Sequence, residues 1–79
     1  MKIVYVLQSL SHPARHYTGI TDDVDERLQR HNEGRCAHTS KHVPWRLLAA
    51  ITFTEEPKAR AFERYLKSGS GRAFSKRHS

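Results

Sequence analysis

Tyr5, Tyr17, Arg27, His31 and Glu63 are hard to explain as packing alone. Two phenols, a fixed cation, an imidazole and a carboxylate form a set suited to phosphodiester chemistry. The guanidinium can bind a phosphate and stabilise its growing charge, and the carboxylate can bind a divalent metal. A phenol can take a proton from water, but its ordinary pKa is about 10, so it needs help from Arg27, His31 or a metal near neutral pH.

These residues fall on elements that the sequence pattern predicts. Residues 2–8 are rich in β-branched and aromatic side chains and read as a strand. Ile3, Tyr5 and Leu7 share one face and Val4 and Val6 the other, so both faces are expected to be covered by helices. Ser9 to Ala14 reads as a turn, and residues 15–21 as a second strand, the hairpin partner of the first. Gly19 weakens that strand and marks a bulge or a close backbone approach.

Asp22 or Asp23 is expected to cap the first helix and Gly34 to end it. With Asp23 as the cap, Glu26 completes a capping box. At about 100° per residue, Val24, Arg27, Leu28 and His31 fall on one stripe, with Glu26, Gln29, Arg30 and Glu33 opposite. Residues 34–44 form a basic loop closed by Pro44, and Trp45 to Phe53 is the third strand. Its Leu47-Leu48-Ala49-Ala50-Ile51 run predicts cover on both faces. Thr54 is the expected cap of the second helix, with Pro57 in the first turn. Ala59, Phe62, Glu63 and Leu66 form its apolar stripe, and Arg60, Ala61 and Arg64 point away. Lys67 to Gly71 breaks this helix, and Arg72 to Arg77 adds a short third one.

A charged residue on an inward stripe needs a partner or a function, because removing an unpaired charge from water is unfavourable. The structural explanation is one salt bridge between the helices, Arg27 to Glu63, which leaves His31 and both tyrosines unused. The functional explanation uses all five in a cleft between the helices and the strand face.

The chain of 79 residues reads as a single domain with a modest core, whose stability is expected to be roughly 3–5 kcal/mol. Cys36 is the only cysteine, which excludes disulfides and a cysteine-rich structural metal site. No apolar run reaches membrane-spanning length, and the expectation is a soluble cytoplasmic protein. The net charge is +6 before counting six histidines, and the pI is near 10.0, so a polyanionic partner is expected. Arg35, Lys41 and Arg46 bracket the middle loop, while the acids concentrate at the helix starts, where dipoles favour them.

In this order and spacing the segments resemble the GIY-YIG endonuclease superfamily, in its small standalone form. Ile3-Val4-Tyr5 stands where the family has Gly-Ile-Tyr, and Tyr17-Thr18-Gly19 where it has Tyr-Ile-Gly. The stretch from Asp22 to Asn32 resembles the following helix, with Arg27 and, four residues on, His31. The stretch from Ala59 to Lys67 resembles the segment of the metal-binding glutamate, Glu63.

The resemblance implies an α+β fold, a three-stranded antiparallel sheet flanked by two to three helices. It implies hydrolysis of DNA with one Mg2+ or Mn2+ held by Glu63. Tyr5 is then the general base or water-orienting phenol and His31 the acceptor of its proton. Tyr17 positions the nucleophile or the phosphate, and Arg27 holds the scissile phosphate. Gly19, Arg35, Lys41, Lys67 and Arg72 are the candidate contacts to nucleic acid. Larger members carry a separate DNA-binding domain, so grip must come from this basic surface or from a protein partner.

Three other readings stand beside this one. Cys36, His38 and His42, with His31, have zinc-ligand types but match no strong spacing. Gly69-Ser70-Gly71-Arg72 is a helix stop or a phosphate cradle. The whole chain could also be a basic module that grips nucleic acid, or docks on a nuclease, without catalysis.

Overall fold

A computed structural model describes residues 1–68 of the chain. The elements in order are β1 (Lys2–Ser9), β2 (His16–Thr21), α1 (Val24–Asn32), a turn of 3-10 helix (Ser40–His42), β3 (Trp45–Phe53) and α2 (Glu56–Lys67). The strands form one antiparallel sheet in the order β2-β1-β3, as expected. Arg72, the Gly69-to-Arg72 cradle and the short helix over Arg72 to Arg77 lie outside the described residues.

Central placement explains why β1 is apolar on both sides. Val4 and Val6 pack against Ala59 and Leu66 of α2. Tyr5 and Leu7 point the other way, towards Trp45 and the Val24 and Leu28 side chains of α1. Because successive strand residues face opposite sides, the sheet lies between the two helices. The alternative of an Arg27-to-Glu63 salt bridge is not found: Glu63 pairs with Lys67 at 3.4 Å.

The helix stripes match the pattern in the sequence. His31 is buried and Val24, Arg27 and Leu28 are half-buried, while Glu26, Gln29, Arg30 and Glu33 are exposed. Asp23 caps α1 by accepting from the Glu26 N–H. The capping box is left half made. The Asp23 N–H donates to Thr21 Oγ1 and the Glu26 carboxylate pairs with Arg30, so neither group of the return bond is free. Gly34 follows the helix at φ 76°, the left-handed conformation that glycine adopts without steric penalty.

Two expectations about the second half of the chain are corrected. Glu55, not Thr54, occupies the cap position of α2, without a side-chain cap bond. This places Pro57 one residue nearer the helix start, where its missing N–H matters least. Cover of β3 on both faces is also not found. Ala49 to Thr52 are exposed, Ile51 at 43%. β3 is an edge strand, and its small alanines bury little wherever they point.

Candidate active site

Tyr5 is the centre of the site, at 1% exposure in the middle strand. Opposite it on β2 is Gly19. A Cβ at position 19 would fall 2.6 Å from Cζ of the Tyr5 ring. The glycine is thus the close approach that the sequence suggested, since any side chain there would displace the phenol. Gly19 itself is buried. Tyr17 pairs with Leu7, two residues along, and so shares the Tyr5 face. Its ring is 6.2 Å from that of Tyr5 and 4.8 Å from that of His31.

α1 brings His31 over this face, where its Nε2 is 3.1 Å from the Tyr5 hydroxyl. On the other side of the ring, Nδ1 is 2.8 Å from Thr39 Oγ1. Thr39 is buried and its hydroxyl also donates to the Cys36 carbonyl at 3.4 Å. The proton count fixes the directions. With the threonine proton on Cys36, His31 carries its hydrogen on Nδ1 and donates to Thr39, and the Tyr5 hydroxyl donates to the bare Nε2. The reverse arrangement would leave the Tyr5 proton without an acceptor among the described residues. A buried unmade hydrogen bond is unfavourable by about 1–3 kcal/mol.

Arg27 stands one turn before His31 on the same stripe. Its Nε is buried without a hydrogen-bond partner. Burial and then the neighbouring Tyr17 push the Tyr5 phenol up to about 12, while the Arg27 charge pulls it down. Burial, then Arg27, holds His31 below the ordinary imidazole value. At neutral pH the free protein therefore has a protonated phenol resting on a neutral imidazole.

These are four of the five residues singled out. Glu63 is carried by α2, whose Ala59 and Leu66 pack on the Val4 and Val6 face, and its side chain is 17% exposed and paired with Lys67. Of the nucleic-acid candidates, Arg35 is exposed and paired with Glu33 at 3.2 Å, Lys41 is exposed on the 3-10 turn, and Lys67 holds Glu63. The zinc alternative fails, because no group of three or more His, Cys, Asp or Glu side chains suited to a metal exists among the described residues.

A model of the family described as the GIY-YIG catalytic domain matches residues 1–77 of the chain. The protein belongs to the GIY-YIG family. This GIY-YIG domain is 36% identical over 70 residues to a UPF0213 protein of Halalkalibacterium halodurans, covering 87% of this chain and 72% of that one. It is 36% identical over 64 residues to a UPF0213 protein of Lactococcus lactis subsp. cremoris, covering 80% and 63% of the two chains. The solution NMR structure of a UPF0213 protein from Bacillus halodurans matches with a TM-score of 0.57 at 32% identity, over 96% of this chain and 81% of that one. The relatives are thus small GIY-YIG proteins, and the family is one of nucleases. Among the described residues, no helix of the GIY-YIG domain is long and apolar enough to cross a membrane.

Sequence reasoning missed Thr39 and the service of Asn32. Thr39 lies in the loop, where no periodicity marks an inward side chain. Its carbonyl also accepts from Trp45 Nε1 at 2.9 Å, so the same residue anchors the loop to the core. Asn32 grips both backbone groups of Trp45, joining the end of α1 to the start of β3. Its place directly after His31, near the helix end, was the only available signal.

Proposed function

We propose that this GIY-YIG domain is a divalent-metal-dependent endonuclease that hydrolyses DNA phosphodiester bonds. Single strands, flaps and branched junctions, such as arise in cytoplasmic repair or recombination, are the candidate substrates. The observation that carries this reading is the chain Tyr5–His31–Thr39 beside an Arg27 whose Nε has no partner. It is a directed proton path ending at a phenol, next to a cation ready for phosphate.

In this reading water gives a proton to Tyr5 Oη as Tyr5 gives its own to His31 Nε2. The phenol is never released as a free anion, which burial would oppose. The hydroxide attacks phosphorus, the P–O bond to the leaving oxygen breaks, and that oxygen takes a proton from solvent while His31 returns its own. Arg27 binds the phosphate and Tyr17 helps to place it. Phosphate binding also prepares the base, because an anion on Arg27 offsets the repulsion that adds to burial in holding His31 neutral. Thr39 keeps His31 Nε2 bare and aimed at the phenol.

The donor set suits a hard ion. A single half-buried carboxylate, Glu63, matches Mg2+ or Mn2+, which keep water and phosphate oxygens as their other ligands. Such an ion would supply charge neutralisation at the phosphate. The rival reading, a nucleic-acid-binding module without catalysis, draws on one observation, that Glu63 is tied to Lys67 on the helix behind the sheet.

Labelled single-stranded, duplex, flap and junction DNA, incubated with Mg2+ or Mn2+, tests the choice. Wild type should cut only with metal. Glu63→Ala should not cut, and Tyr5→Phe should cut about 100-fold more slowly or worse, both with DNA binding retained. Equal cleavage by wild type and Tyr5→Phe would sink the mechanism. Salt-sensitive binding with no cleavage by any form would establish the binding module.

A further inference from the structure

A second cluster of titratable groups lies beside the site, unused by the chemistry above. The turn between β1 and β2 supplies His12 and Arg15, and the 3-10 turn supplies Lys41 and His42. The His12 and His42 rings have centroids 4.8 Å apart. Beneath them Ser9, fully buried, organises both loops. Its hydroxyl donates to the His42 carbonyl at 2.7 Å. That spends its proton, so Ser11 Oγ must donate to Ser9 Oγ at 3.2 Å. Ser11 in turn can only accept from His12 Nδ1, at 3.0 Å. His12 therefore has its hydrogen on Nδ1 and a bare Nε2 able to bind a proton. His42 Nδ1 is buried without a hydrogen-bond partner.

The charge around this pair is of one sign. All eight acidic residues fall within 22–33 and 55–63, and the stretches 1–21 and 34–54 contain none. The two loops come from those acid-free stretches. Elsewhere among the described residues Lys2, Arg30, Arg35, Lys58, Arg60 and Lys67 each have a carboxylate partner. Arg15 and Lys41, like Arg27, Arg46 and Arg64, have none among the described residues. The charged and titratable groups that act on His42 are His12, Arg15 and Lys41, and the ring of Trp45 stacks on it from β3. His42 is held below its ordinary value by burial, then by these three neighbours. An anion reverses that balance.

The cluster also adjoins the catalytic residues along the chain. Arg15 lies two residues before Tyr17, and Thr39, bonded to His31, leads directly into Lys41 and His42. We propose that His12, Arg15, Lys41 and His42 form a second phosphate site, which holds a backbone phosphate of the DNA strand next to the one at Arg27 and takes up a proton from solvent as it does so. This rests on the nuclease reading for the identity of the polyanion, and it adds where the strand runs and why its grip depends on pH.

Fluorescence anisotropy with a labelled oligonucleotide in EDTA, at constant ionic strength, tests it without cleavage. Arg15→Ala/Lys41→Ala should weaken binding about tenfold and reduce the slope of log K against log salt by about 1 or more. Both side chains are exposed, so the fold should survive. Wild type should bind about fivefold or more tightly at pH 6 than at pH 8, and His12→Gln/His42→Gln should abolish that difference. Unchanged affinity and salt slope in the first variant, or an undiminished pH difference in the second, would overturn the proposal and leave the nuclease reading intact. Binding of the expected kind by a wild type that never cuts would do the reverse.

Discussion

The two faces of the sheet are built from one strand and do opposite work. On one, Val4 and Val6 meet Ala59 and Leu66, and α2 is held by apolar contact. On the other, Tyr5 and Leu7 meet α1 through a seam that mixes aliphatic packing with the Tyr5–His31–Thr39 chain. The first face contributes stability, and the second gives up some of it to hold polar groups in fixed directions. A buried polar network of this kind specifies geometry only when every member is satisfied. Arg27 Nε is an orphan beside that chain, and that is where a phosphate is proposed to bind.

The sharpest way to break this contrast is to remove the Arg27 guanidinium. Arg27→Ala should lower the cleavage rate at saturating DNA by roughly 10- to 1000-fold, through lost stabilisation of transition-state charge, with circular dichroism unchanged. An unchanged rate would make Arg27 a structural residue and the faces alike. The opposite face should answer in stability alone. Leu66→Ala is expected to destabilise by about 2–5 kcal/mol in urea, with the rate per folded molecule preserved. A lost rate at full stability would show that α2 takes part in the chemistry beyond Glu63.

Thr39→Val tests the polar face more finely, since it keeps the shape and removes only the hydroxyl. The rate should fall about tenfold, Thr39→Ser should restore it, and 15N shifts of the His31 ring should move from an Nδ1–H tautomer in wild type to a mixture in Thr39→Val. An Nε2–H tautomer in wild type would reverse the proton path.

The smallest expected effect is on the pH dependence of stability. His31 has a lower pKa folded than unfolded, so its contribution is complete above about 6.5 and declines as pH falls towards the folded value, with a slope of at most about 1.4 kcal/mol per pH unit. Tyr5 has a raised pKa, so its contribution is complete below the unfolded value of about 10 and declines as pH rises towards about 12. Urea midpoints should thus hold a plateau between those limits. A His31→Gln variant should lose much of the acid-side slope, and an identical slope would place the titrating group elsewhere.

Much of the face that carries the candidate site was legible before the fold. The α1 stripe of Val24, Arg27, Leu28 and His31 follows from helical period alone, and it faces the sheet as expected. Gly19 announced a close approach, and the ring it admits is that of Tyr5. Thr39 was not legible, because a loop has no period to show which side chain turns inward. The half-made capping box turned on Thr21, whose hydroxyl reached the Asp23 N–H first.

Local spacing, then, determined which side of each helix and strand is apolar and which chemical groups lie among the apolar ones. That follows from the fixed periods of helix and strand. It did not determine that α1 and α2 lie on opposite faces of the sheet, nor that the Leu47-to-Ile51 run belongs to an open edge. Which face a helix covers and how many neighbours a strand has are set by contacts between segments distant in the chain, and only the folded structure makes those contacts.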